Sequence, residues 1–121
     1  MAKILVVDDS STVRDEVAGF LKTAGLDVAT AVDGKDGLGK LKTDAGIKLV
    51  ICDVNMPNMD GLTMVEKMRS ELGKAAVNVV MLTTESSPSM KERGKAAGVK
   101  GWIVKPFNGA AVLETFKKLA A

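Results

Sequence analysis

The sequence predicts an α/β protein in which a parallel sheet is covered by helices on both faces. Three observations predict it. Four short runs rich in branched aliphatics, residues 4–7, 49–52, 79–82 and 103–104, show no clear alternation, as expected of strands buried on both sides. Segments with a helical apolar stripe lie between them. The two kinds of segment alternate along the chain, and right-handed crossovers turn such an order into a parallel sheet.

In order, the elements read βαβαβαβαβα. After the first strand, Val13, Val17, Phe20, Leu21 and Ala24 form a single stripe that Gly25 terminates. Residues 27–30 make a weaker strand. Asp33 caps a second helix through residue 42, with Leu38 and Leu41 facing inward. Asp60 caps a third, whose inward residues are Leu62, Val65, Met68 and Leu72, and Gly73 ends it. Ser87-Pro88 places a cap before a proline at the first helical position. Val112, Leu113, Phe116 and Leu119 give the stripe of the closing helix. Gly37, Gly39 and Gly94 each cost about 1 kcal/mol of helix propensity relative to Ala, so the second and fourth helices are expected to be the least rigid.

The composition fits one soluble domain spanning residues 1–121. A chain of 121 residues buries roughly two-thirds of its unfolded surface, enough for a single core. Hydrophobic residues are 46% and charged residues 26%, and the net charge of +2 does not point to a nucleic-acid or membrane partner. The absence of His excludes an imidazole base, a His metal ligand and a phosphohistidine carrier within this chain. One Cys excludes an intramolecular disulfide and a zinc–thiolate cluster. The opening Met1-Ala2-Lys3 and the apolar residues 4–7 run into Asp8 and Asp9, too short a stretch for a leader or a membrane span. The expectation is a cytoplasmic monomer with no effector domain after Ala121.

Ligands of open parallel sheets bind beyond the carboxyl ends of the strands. Here those ends carry Asp8 and Asp9, then Asp53, then Thr83 and Thr84, then Lys105. Strand ends facing water are often polar, but three acids in one place repel unless a cation joins them. Without His or Cys the donors are hard oxygens, which suit Mg²⁺ or Mn²⁺. Mg²⁺ takes one or two carboxylates and keeps several waters, which fits Asp9 and Asp53 as direct ligands and Asp8 through water. Lys105 supplies a further charge for a phosphoryl group and Thr83 a hydrogen bond, with a carboxylate as nucleophile on phosphorus. An EF-hand reading of Asp53-Val54-Asn55 fails, because Asn58 stands at the sixth position and Met64 at the twelfth. No GxxxxGK[ST] or GxGxxG cradle occurs.

Four motifs in order resemble the receiver domain of two-component response regulators over essentially the whole chain. They are Val6-Val7-Asp8-Asp9-Ser10, the stretch from Asp53-Val54-Asn55 to Asp60-Gly61, Leu82-Thr83-Thr84-Glu85 and Val104-Lys105-Pro106-Phe107. The stand-alone chemotaxis members of that family are the most similar. The resemblance implies a flavodoxin-like (βα)5 fold with strand order 2-1-3-4-5. It implies that Asp53 accepts the phosphoryl group and that Asp8 and Asp9 bind Mg²⁺ with the backbone carbonyl of Asn55. It makes Thr83 the switch hydroxyl and Lys105 the phosphoryl contact, with a cis bond before Pro106. Trp102 stands where the family usually has Tyr or Phe, a ring whose rotation follows the threonine; the alternative is an aromatic packed at a partner surface. Asn55 and Glu85 occupy positions that tune dephosphorylation, and both match the choices of a short-lived signal.

Other residues read more plainly. Cys52 is a small core residue, Met56 and Met59 pack the loop beneath Asp53, and Met64, Met68 and Met81 belong to the core. Lys91, Arg93, Lys95 and Lys100 form a basic cluster, read first as a solvated face and second as a dock for an acidic partner segment. Lys117 and Lys118 favour the dipole at the end of the last helix.

The resulting expectation is a signalling switch and not an enzyme acting on other substrates. A histidine kinase is the phosphodonor, and output is by protein–protein binding, in chemotaxis to the flagellar motor switch. The alternatives are a stand-alone receiver in another phosphorelay and a receiver-like binding module that is never phosphorylated. A hydrolase of the aspartate-nucleophile phosphatase type needs an acid two residues after the nucleophile, where Asn55 stands.

Overall fold

Successive side chains of a strand point to opposite faces, so an unbroken aliphatic run needs an apolar layer on each side. The computed structural model, which describes residues 3–121, supplies both layers. Met1 and Ala2, the start of the stretch read as too short for a leader, lie outside the described residues. The strands are β1 (Lys3–Val7), β2 (Asp27–Ala31), β3 (Ile47–Cys52), β4 (Asn78–Thr83) and β5 (Gly101–Val104). The helices are α1 (Ser11–Thr23), α2 (Gly34–Thr43), α3 (Gly61–Glu71), α4 (Pro88–Ala96) and α5 (Gly109–Ala120). All pairings are parallel and the strand order is 2-1-3-4-5, the doubly wound, flavodoxin-like arrangement.

Leu5, Val7, Val50, Cys52, Val79 and Met81 face a core completed by Leu41, Leu62, Met64, Val65 and Met68 of α2 and α3. Ile4, Val6, Leu49, Ile51, Val80 and Leu82 face the other, closed by Val17 and Leu21 of α1 and Phe116 of α5. One correction concerns the last strand. Read as buried on both faces, β5 is only half-buried from Gly101 to Ile103 and Val104 is 49% exposed, at the edge of the sheet where the order 2-1-3-4-5 places it. Among the described residues no helix is long and apolar enough to cross a membrane.

Every helix begins on a side-chain cap. Asp33 accepts from the Asp36 amide at 2.8 Å, Asp60 from the Thr63 amide at 2.8 Å, and Ser87 caps α4 ahead of Pro88. Ser10 and Asn108, which the sequence reading passed over, cap α1 and α5. Gly25 and Gly73 end α1 and α3 with φ of 86° and 63°, the left-handed region where a side chain is strained.

Two of the four helix-interior glycines, Gly19, Gly37, Gly39 and Gly94, have a packing reason. A Cβ at Gly37 would lie 2.7 Å from the Met64 sulfur, and one at Gly94 would lie 3.0 Å from the Trp102 ring, whereas Gly39 faces open space. The tightest approach is at Gly61, where a Cβ would sit 1.9 Å from the Asp53 carbonyl oxygen. There the amide of Gly61 also donates to the Val54 carbonyl at 2.8 Å, so α3 starts directly against the chain carrying Asp53.

These contacts set opposite signs for two similar changes. Gly61→Ala is expected to lower stability by about 1–3 kcal/mol or more through overpacking. Gly39→Ala is expected to raise it by about 0.5–1 kcal/mol. Urea unfolding midpoints measure both. A second expectation concerns acid. Asp33 is buried, and the Asp36 amide and then the Asn58 side chain hold its carboxyl below the ordinary range. Its stabilising effect is complete above the unfolded value of about 3.9 and is lost as pH falls through the lower folded value. In urea unfolding between about pH 6 and 2, the stability gap between wild type and Asp33→Asn should close at the acid end.

Candidate functional site

Parallel register brings the strand ends level. Val7 lies opposite Cys52, Cys52 opposite Met81, and Thr83 opposite Val104, so the residues just beyond them share one edge. The Asp53 amide donates to the Val7 carbonyl at 3.1 Å, fixing the two acidic turns against each other. Carboxylate oxygens of Asp8, Asp9 and Asp53 lie within 4.8 Å of one another. Asp8 and Asp53 are buried, whereas Asp9 is exposed.

The Lys105 ammonium reaches into this group, 3.0 Å from Asp8 Oδ2 and 3.0 Å from Asp53 Oδ2. The remaining oxygens are also engaged: Asp8 Oδ1 accepts from the Ser10 amide at 2.9 Å and Asp53 Oδ1 from the Val54 amide at 2.7 Å. Burial pushes the Asp8 carboxyl above the ordinary range, against the pull of the Ser10 amide and of Lys105. Burial also works against the Lys105 charge, but its hydrogen bonds to Asp8 and Asp53 outweigh this and raise its value. Three carboxylates against one ammonium leave two negative charges unbalanced. Donors that are all oxygen, with that excess, fit a hard divalent cation of the Mg²⁺ type.

Thr83 is fully buried at the end of β4, and its hydroxyl accepts from the Glu85 amide at 3.1 Å. Its carbonyl accepts from the Lys105 amide at 2.9 Å, and the Lys105–Pro106 bond is cis. The Ser87 amide holds the Glu85 carboxyl below the ordinary range, assisted by the facing side chain of Asn55. Asn55 itself is exposed on the loop after Asp53. Trp102 is half-buried: its ring packs on Gly94 of α4 and its indole N–H donates to the Glu85 carbonyl at 2.9 Å. A hydrogen-bonded path therefore runs from Thr83 through Glu85 to Trp102.

The structure divides the basic cluster. Lys91, Lys95 and Lys100 line a shallow groove with Trp102, as a solvated face or dock requires. Arg93 leaves it. Its guanidinium grips both oxygens of Glu66 on α3, at 3.0 and 2.7 Å, because a planar fork matches a carboxylate. Cys52 is buried against Met81, 3.5 Å from its sulfur, and burial pushes its thiol far up, as befits a core residue. Met56 and Met59 are half-buried against the core below the loop.

Sequence reasoning missed two supports of the site. Arg14 donates to the Asp8 carbonyl at 2.7 Å, pinning the acidic turn from α1. Asn58, at φ 68°, donates to Asp33 Oδ2 at 2.7 Å and ties the Asp53 loop to the start of α2. The left-handed tolerance of Asn was the available signal for the second.

Comparison with known proteins agrees with this geometry. Residues 4–117 match the response regulator receiver domain family, and the chain belongs to it. It is homologous to the chemotaxis regulators within that family, for which a phosphorylation-dependent signalling switch is the fitting function. Chemotaxis protein CheY1 of Helicobacter pylori is 40% identical over 113 residues, covering 93% of this chain and 91% of that protein. The structure of chemotaxis protein CheY4 of Vibrio cholerae superposes with a TM-score of 0.89 at 43% identity, covering 98% of each chain. Response regulator TrrA of Thermotoga maritima, solved in complex with Mg²⁺–BeF, has a TM-score of 0.85 at 31% identity, covering 98% of this chain and 99% of that one.

The charge balance carries a prediction. Without divalent cations, Lys105→Met strands Asp8 and Asp53 as uncompensated buried acids, and should cost about 3 kcal/mol in urea unfolding. Adding Asp8→Asn to that variant should restore a large part of the loss.

Proposed function

We propose that this chain is a chemotaxis-type phosphorylation switch in which Asp53 accepts a phosphoryl group from the phosphohistidine of a histidine kinase. The observation that carries this reading is the buried Asp53 carboxylate, held by Lys105 beside two further acids. An oxygen of Asp53 attacks phosphorus in line. The new O–P bond forms as the P–N bond breaks, and the imidazole nitrogen leaves with the electron pair.

Asp8, Asp9 and Asp53, with the backbone carbonyl of Asn55, are the residues that would hold Mg²⁺, with Mn²⁺ as the alternative. When bound, the ion neutralises charge on the phosphoryl oxygens. Lys105 contacts the transferred group and steadies the spread charge of the transition state. Thr83 turns its hydroxyl toward the phosphoryl oxygens and so withdraws the acceptor of the Glu85 amide. Glu85 and Trp102 then rearrange, and the face of α4 and β5 changes for a partner.

Asn55 and Glu85 border the approach of water that cleaves the acyl phosphate, and the signal is short-lived. The chain catalyses its own phosphorylation and dephosphorylation and acts on no other substrate. It works in the cytoplasm as a monomeric receiver, with the flagellar motor switch as the output partner.

Labelled acetyl phosphate with Mg²⁺ tests this reading. Label is expected in the wild type, is expected to need Mg²⁺ and is expected to vanish in Asp53→Asn. Failure of both labelling and beryllofluoride binding would leave a receiver fold used for binding alone. Pull-down of the motor switch protein by the beryllofluoride form then separates chemotaxis from another phosphorelay.

A further inference from the structure

Helix α4 is poorly anchored by apolar contacts. Gly94 is its only buried residue, while Met90 and, just beyond the helix, Ala97 are half-buried against the core. Two arginines take over that task. Arg69 of α3 donates to the carbonyls of Ala97 and Gly98 at 3.2 and 3.4 Å, just past the end of α4. The same guanidinium reaches the carbonyls of Lys74 and Val77, so that end of α4 is fastened to the β4 approach. Arg93 holds the middle through Glu66, whose carboxyl the guanidinium keeps below the ordinary range.

The second arginine does more than pair. Arg93 Nη2 also donates to Thr63 Oγ1 at 3.0 Å, and that hydroxyl donates to Asp60 Oδ2 at 3.0 Å. Asp60 is the cap of α3, and the next residue, Gly61, bonds Val54 and abuts the Asp53 carbonyl. An unbroken series of contacts thus runs from α4 to the backbone that carries the phosphoryl acceptor, on the α3 side of the sheet. It is separate from the path through Thr83 and Trp102.

We infer that Arg93, Glu66 and Thr63 form a latch that positions α4 and couples it to the Asp53 loop. The inference rests on the phosphorylation reading above. The latch is closed in the unmodified chain, and the inference is that it opens on activation, so that it favours the arrangement of α4 that precedes phosphorylation. Opening it shifts the population toward the activated arrangement, and coupling is reciprocal, so the acceptor site must bind its ligand more tightly. The pair is 37% and 44% exposed, which limits the effect to about two- to fivefold.

A titration with beryllofluoride and Mg²⁺, followed by the fluorescence of Trp102, the sole tryptophan, tests it. Glu66→Gln and Arg93→Met should each lower the midpoint by about two- to fivefold, and so should Thr63→Val, which cuts the link to Asp60 and leaves the ion pair. The exchanged pair Glu66→Arg with Arg93→Glu rebuilds the ion pair but leaves Thr63 without its donor, so it should return the midpoint only part of the way, to the level of Thr63→Val. Unchanged midpoints in Glu66→Gln and Arg93→Met would overturn the latch. A shift in those two with none in Thr63→Val would overturn the connection to the Asp53 loop. A wild type that binds no beryllofluoride fails the signalling reading itself, and the coupling falls with it.

Discussion

The Lys105 ammonium bridges the carboxylates of Asp8 and Asp53 at 3.0 Å each, and the surrounding chain is arranged to keep that contact in place. Like charges brought together at a sheet edge repel, and burial adds a desolvation cost to each of them. Backbone amides of Ser10 and Val54 offset part of that cost by donating to the oxygens Lys105 leaves free. Arg14 and Asn58 fix the two acidic loops from outside. What remains is an excess of negative charge in a hydrogen-bonded cradle that fits a hard divalent cation.

The molecule uses two kinds of adhesive. Toward β1, β3 and β4 the helices α1, α2, α3 and α5 are held by side chains removed from water, which favours burial without specifying direction. At α4 the attachment is made largely of directed hydrogen bonds, from Arg69 to backbone carbonyls and from Arg93 to the Glu66 carboxylate. Apolar packing yields only by leaving a void, whereas a half-exposed ion pair exchanges its partner for water at small cost. The mobile requirement of a switch and the fixed requirement of its reaction site are thus met by different physics in one sheet.

Much of this was legible in the sequence, for physical reasons. Strand ends of a parallel sheet converge on one edge, so Asp8, Asp53, Thr83 and Lys105 could be assembled from chain order alone. Caps such as Asp33, Asp60 and Ser87 act over three residues and leave a local trace. Strand order left no such trace in the periodicity and came only with the family resemblance. Arg93 was read with neighbouring lysines because its partner Glu66 is 27 positions away. The reason for Gly37 was equally remote, since the Met64 sulfur that needs its space lies on another helix. The exposure of Val104 was not legible either, since it depends on how far the neighbouring helices cover the end of β5, whereas Ala31 at the end of the other edge strand is buried.

Cys52, the only cysteine, lies in the sheet beside Met81 on the face that α2 and α3 cover, and burial holds its thiol in the protonated form. A thiolate is the species that alkylating and disulfide reagents attack, so the native chain offers them almost nothing while folded. A cysteine introduced on the surface therefore becomes the only reactive handle, with no need to remove the natural one. Spin labels or dyes could be placed on α4 or beside Trp102 in an otherwise unaltered sequence. Conversely, modification of Cys52 itself would count the moments at which the sheet opens.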